Sequence, residues 1–354
     1  MKAQAIRFSG RLSSIDVILF VFIGVAGVEY MYMASNSTDY PDLEARFLQP
    51  KGWQWRECVR DGYALRYGYV KPAGARSLKK VVVALPGLSE FCEKYFELAH
   101  DCLAQGYGFV VLDWRGQGRS SRYLDNPHKR HSQGFMADAY DLKSVLDDLP
   151  ATYANADLYM LAHSMGGNIG LRFLDHYAGV FTAATFLAPL IGLHVFEALP
   201  EFLSAPLTHG LQSMMAENYV PMGGDWEPFS RDLQSHIMFS TDIKRAAVHN
   251  AWMRHDPALR VGHVTNQWID DAHRSCLYIQ HDLAVSKIDI PCLFFVAGHE
   301  KLVDNGEVKL FANRLGQSNV IEFPRARHEI WMESDLMRHN FLLHFYSLIE
   351  TGAL

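Results

Sequence analysis

From residue 63 onward the apolar positions form two kinds of run that take turns. One kind is short and continuous. Residues 79–85 read Lys-Lys-Val-Val-Val-Ala-Leu, residues 109–112 read Phe-Val-Val-Leu, residues 183–188 and 290–297 follow suit, and residues 320–323, Val-Ile-Glu-Phe, read as the last strand. Runs of this length, apolar at successive positions, suit strands buried on both faces. Residues 63–70 alternate and predict a further strand. The other kind of run repeats every three to four positions. Phe135, Ala139, Leu142, Leu146 and Leu149 mark residues 136–149 as an amphipathic helix, and residues 96–105 read as another. Strands and helices in alternation predict an α/β fold with a mostly parallel central sheet flanked by helices.

Two stretches break this rhythm. Past Pro189 the periodicity fails for about a hundred residues, and the breakers Pro200, Pro206, Pro221 and Pro228 punctuate short helical patches. Residues 191–286 are therefore expected to be an insertion, a helical lid over the carboxyl ends of the strands, where ligands of open α/β sheets bind. Its Met and aromatic residues supply lid core and the wall of an apolar acyl site. At the other end, Lys2, Arg7 and Arg11 precede twelve uncharged residues, 17–28, and apolar character resumes through Ala34. The segment 15–34 reads as a membrane anchor, a cleaved signal or a helix packed on the domain. As an anchor, its basic leading flank and the acids Asp39, Asp42 and Glu44 behind it place the remaining chain outside the cytoplasm; otherwise the protein is cytoplasmic. Residues 1–50 are thus an apolar segment and polar linker, and 51–354 the folded domain.

The chemistry concentrates where strands end. Residues 158–167, Leu-Tyr-Met-Leu-Ala-His-Ser-Met-Gly-Gly, are an apolar run that breaks at Ser164 and restarts as a helical pattern. This is the signature of a nucleophile elbow, a strained turn that tolerates only small residues two before and two after the serine, here Ala162 and Gly166. A helix N-cap serine is the plainer alternative. After residues 79–85 comes Pro-Gly-Leu-Ser-Glu, residues 86–90, a glycine turn able to aim backbone N–H groups at a developing oxyanion. Residues 113–121 hold Gly116 and Gly118 but lack the lysine of a phosphate loop and the third glycine of a dinucleotide fingerprint, and read as a structural turn. Behind residues 290–297 stand two carboxylates, Glu300 and Asp304, either able to orient a histidine. His328 follows the last strand. Nucleophile, acid and histidine occur in that chain order.

Composition removes several alternatives. A net charge of -6 and no long Lys/Arg run argue against nucleic acid as partner. Seventeen histidines show no metal-ligand spacing, and five cysteines include no Cys-x-x-Cys pair, so neither a metal nor a redox site is expected. No cofactor is required by the chemistry sketched above.

With these motifs in place, the chain from Tyr63 onward resembles the α/β-hydrolase superfamily, and more narrowly its lysophospholipase L2 and monoacylglycerol lipase group. The group's oxyanion loop, Asp-x-Arg-Gly-x-Gly-x-Ser turn, elbow, acid loop and terminal His-Glu correspond to residues 86–90, 113–120, 162–167, 298–303 and 328–329. Residues 262–269 also look like the lysophospholipase lid. Three positions depart from the group: Pro86 stands for His, Ala162 for Gly and Glu300 for Asp. The resemblance implies a serine hydrolase of lipid-like esters with Ser164 as nucleophile, His328 as base, Glu300 as acid, and the backbone N–H groups of Leu88 and Met165 as oxyanion donors. A small-ester hydrolase or peptidase of the same fold, or a binding protein with lost chemistry, are the rivals.

Overall fold

Along each central strand, successive side chains point to opposite faces, and the core divides accordingly. Val81, Val83 and Leu85 belong to one apolar cluster with Val110, Met160 and Phe294, while Val82 and Ala84 belong to the other with Val111, Leu161 and Phe295. A sheet that buries both faces must be covered by helices on both sides. The computed structural model describes residues 41–196, 201–228 and 238–354. Within them one eight-stranded sheet runs in the order β1-β2-β4-β3-β5-β6-β7-β8. The strands are β1 (Gln54–Arg60), β2 (Tyr63–Val70), β3 (Lys80–Leu85), β4 (Gly108–Leu112), β5 (Asp157–His163), β6 (Ala183–Leu187), β7 (Cys292–Ala297) and β8 (Ser318–Phe323). β2 is antiparallel to β1 and to β4; every other pairing is parallel. This is the α/β architecture that the alternating runs predict.

The described helices are α1 (Phe96–Ala104), α2 (Phe135–Asp147), α3 (Met165–His176), α4 (Glu201–Met215), α5 (Ile243–His255), α6 (Asn266–Leu277), α7 (Asn305–Ala312) and α8 (Asp335–Thr351). Residues of α2, α3, α6 and α7 pack into one cluster, and residues of α1, α5 and α8 into the other. Helices α4, α5 and α6 all come from the stretch between β6 and β7, and they part to the two faces of the sheet.

Two elements were not foreseen. β1 carries exposed Gln54, Trp55, Arg56 and Glu57, so its sequence shows no apolar alternation; register with β2 along its whole length makes it a strand. Its charged edge also discourages pairing with other chains. α8 buries Phe341, Phe345, Leu348 and Ile349 along one stripe. The expected linker also ends early: Phe47 is buried in the core, and Arg46 pairs with Glu44, Glu97 and Asp335, so the chain is docked by residue 50. The apolar segment 15–34 lies outside the described residues. Among the described residues, no helix is long and apolar enough to cross a membrane. All five cysteines are free, with Cys92, Cys102, Cys276 and Cys292 buried and Cys58 half-buried.

Candidate active site

β5 ends at His163, and the chain reverses into α3 through Ser164, which adopts φ 49° and ψ -117°. A non-glycine residue with positive φ is strained and needs surroundings that hold it there. Here the Ser164 N–H donates to the Leu187 carbonyl at 3.0 Å, and the Ser164 carbonyl accepts from the Leu190 N–H at 2.9 Å. The turn is also too tight for larger neighbours. A Cβ on Gly166 would stand 2.2 Å from the Leu85 carbonyl oxygen, and one on Gly167 would stand 2.6 Å from Pro189 Cβ. Ala162, the departure from the family glycine, is accommodated fully buried within β5, where it pairs with Leu85 and Phe186.

Of the two carboxylates after β7, Glu300 meets the histidine. Its Oε2 lies 2.8 Å from His328 Nδ1, while its Oε1 accepts from the backbone N–H groups of Leu302 at 2.8 Å and Lys301 at 2.9 Å. Asp304 instead caps α7, accepting from the Gly306 and Glu307 N–H groups. Burial pushes the Glu300 carboxyl up, but His328 and the two amides outweigh it and hold the group below the ordinary carboxylate range. For His328, burial works against the charged form, and the Glu300 carboxylate, with Glu329 and Glu90 adding to it, more than reverses this, so the imidazole sits above the ordinary histidine value.

Leu88 lies in the turn after β3 and Met165 is the first residue of α3. Neither amide donates to another group among the described residues, which leaves both available. Gly87 is fixed by proximity, since a Cβ there would stand 2.8 Å from His163 Nδ1. No His/Cys/Asp/Glu group able to hold a metal occurs among the described residues.

A buried ionic network beneath these groups was missed by sequence reasoning. Lys94 Nζ donates to Glu90 Oε1 at 2.8 Å and to Glu329 Oε1 at 2.6 Å. Glu90 Oε2 accepts from the Gly87 N–H at 2.5 Å and from the Tyr95 hydroxyl at 2.6 Å, and faces His163 Nδ1 at 3.2 Å. His163 Nε2 in turn faces the His328 carbonyl at 3.2 Å. The 86–90 turn, the Ser164 turn and the His328 loop are thereby pinned to one another. The available signal was the i,i+4 spacing of Glu90 and Lys94; the partner Glu329 is far along the chain. The stretch between β6 and β7 also reaches this point, with the Met238 carbonyl accepting from the His328 N–H at 3.2 Å.

The family model described as Serine aminopeptidase, S33 matches residues 76–335. The chain belongs to that family. It is 31% identical over 278 residues to lysophospholipase L2 of Escherichia coli, covering 73% of this chain and 77% of the relative. Monoglyceride lipase of Mus musculus is 27% identical over 133 residues, 37% of this chain and 41% of the relative. Among solved structures, a soluble variant of monoglyceride lipase from Saccharomyces cerevisiae superposes with a TM-score of 0.64 at 19% identity, covering 85% of this chain and 97% of that one. At that identity the superposition speaks for the α/β-hydrolase fold.

Proposed function

We propose that this chain hydrolyses carboxylic esters of lipid-like substrates with one acyl chain, a lysophospholipid or a monoacylglycerol, through an acyl-enzyme formed on Ser164. The observation that carries this reading is the pairing of His328 Nδ1 with a Glu300 carboxylate whose other oxygen is anchored by backbone amides, on loops pinned to the Ser164 elbow. Ser164 attacks the ester carbonyl as His328 takes its proton, His328 then protonates the leaving alcohol, and water attacks the acyl-enzyme with His328 taking its proton and returning it to Ser164 Oγ as the acid departs. Glu300 keeps the His328 tautomer that leaves Nε2 toward the reaction and stabilises the cation formed in each step. The Leu88 and Met165 N–H groups receive the oxyanion, each such donor contributing about 2.7–4 kcal/mol to the transition state. Relatives named lysophospholipase L2 and monoglyceride lipase support the lipid-like substrate. In this reading residues 15–34 associate the enzyme with a membrane, its catalytic domain outside the cytoplasm.

The test is a panel of lysophospholipids, monoacylglycerols, short p-nitrophenyl esters and aminoacyl amides, run on wild type and Ser164→Ala. Turnover should rise with acyl length, since each CH₂ buried in the pocket contributes about 0.8 kcal/mol, and Ser164→Ala should lose on the order of 10⁶ in kcat. A best substrate among the acetates or the amides would point to a small-ester hydrolase or peptidase. A wild-type serine inert to a fluorophosphonate would make the chain a binding protein.

A further inference from the structure

The turn at residues 113–121 has no part in the chemistry above, yet its side chains reach the oxyanion loop. Trp114 Nε1 donates to the Pro86 carbonyl at 2.7 Å. Three residues on, the Gln117 amide is wholly buried and fully engaged. Gln117 Nε2 donates to the Gly87 and Glu90 carbonyls, each at 2.8 Å, and Oε1 accepts from the Ser89 N–H at 3.2 Å and from Arg130 Nε at 3.0 Å. A glutamine amide has two donors and room for two accepted bonds, and here every one is occupied. Three of the four bonds fall on Gly87, Ser89 and Glu90, the residues that bracket the Leu88 N–H. Ser89 itself sits at φ 62°, a conformation that a side chain disfavours and that must be held by neighbours.

Arg130 and the Ser89 N–H together fix which way this amide faces. A guanidinium only donates, so Oε1 must turn toward it and the NH₂ toward the two carbonyls; the reverse orientation would set donor against donor and acceptor against acceptors. Arg130 is itself buried, and its Nη2 lies 3.8 Å from Met165 Sδ, on the residue that supplies the second oxyanion amide. Its backbone belongs to the lid contact: the Arg130 N–H donates to the His263 carbonyl at 3.2 Å, and the Arg130 carbonyl accepts from the Thr265 N–H at 3.0 Å.

We propose that Gln117 is a positioning residue for the oxyanion loop, oriented by Arg130, and that this pair joins the lid to the placement of the Leu88 N–H. The proposal rests on the reading of the Leu88 amide as an oxyanion donor. A misplaced donor affects the transition state and leaves ground-state binding nearly untouched, so its loss appears in kcat rather than KM.

The experiment compares an ester with its thiono counterpart, in which sulfur replaces the carbonyl oxygen and accepts hydrogen bonds poorly. Gln117→Leu removes all four bonds, while Gln117→Glu keeps size and the Arg130 contact but loses both donors. Both variants should lower kcat for the oxygen ester, Gln117→Leu on the order of 10²-fold, with KM nearly unchanged, and should shrink the oxygen-to-thiono rate ratio by a similar factor. Equal losses on both esters, with the ratio intact, would mean general damage and would overturn the proposal. If neither variant folds by circular dichroism, Gln117 is a residue of the fold and the proposal also fails. A wild type that does not label with a fluorophosphonate would instead sink the hydrolase reading, and this one with it.

Discussion

Glu300 uses one oxygen on His328 and the other on backbone amides, so its charge is held where the histidine needs it. Glu300→Gln should preserve the fold and lower kcat by up to about 10⁴-fold. It should also move the acid limb of the kcat/KM profile. In the wild type His328 lies above the ordinary histidine value chiefly because of the Glu300 carboxylate, and the base works only when neutral, so activity should appear at higher pH than an unperturbed imidazole would give. Removing the charge takes away the largest opposition to burial and shifts that limb to lower pH. Asp304→Asn should leave the limb in place and cost about 0.5–2 kcal/mol of stability as a weakened cap. The opposite pattern, Asp304→Asn inactive and Glu300→Gln near normal, would exchange the two roles. The candidates Ser164, Glu300 and His328 were legible because each falls in the turn or loop that follows a strand the hydrophobic pattern announces. Gln117 and Lys94 were not, because what distinguishes them is a partner brought close only by the fold.

At the scale of elements, the short helical turn Cys92–Tyr95 joins the 86–90 turn to the His328 loop through Lys94. Lys94→Met would remove the buried ammonium that the Glu90 and Glu329 carboxylates share. Breaking a buried pair from one side costs about 3–5 kcal/mol, so the urea midpoint should fall markedly while the slope of the transition stays constant. A variant as stable as wild type would show that this network contributes little to holding the loops. The lid illustrates why some elements resist reading. On α4, the polar residues Ser204, Thr208 and Gln212 face inward to His273, Asp270 and Gln267 of α6, while Leu203, Leu207 and Met214 are exposed. A helix packed through its polar stripe reverses the rule that the apolar stripe faces the core. Periodicity therefore located the insertion by where the strand pattern stopped, and could not orient its helices.

Across the whole molecule, stability should depend on pH through Asp138 in α2. Both of its carboxylate oxygens are buried without a hydrogen-bond partner, and burial pushes its pKa up to about 7. Between the ordinary aspartate value and that one, the native chain holds a proton that the unfolded chain has released, so unfolding free energy falls as pH rises through this window. Asp138→Asn should flatten the slope and be more stable than wild type above about pH 7; an unchanged slope between urea titrations at about pH 5 and about pH 8 would locate the ionisation elsewhere. The free cysteines carry a different consequence. Burial raises the thiols of Cys92, Cys102 and Cys276, and takes Cys292 to about 12, so none is nucleophilic while the interior is closed. They lie on both sides of the sheet, with Cys276 in the lid and Cys102 under α8. An alkylating reagent followed by peptide mass mapping then becomes a clock for breathing of the native chain. Half-buried Cys58 should be modified first, Cys276 as the lid loosens, and Cys102 and Cys292 only at the rate of global opening; a single fast phase for all five would mean that lid and sheet open as one body.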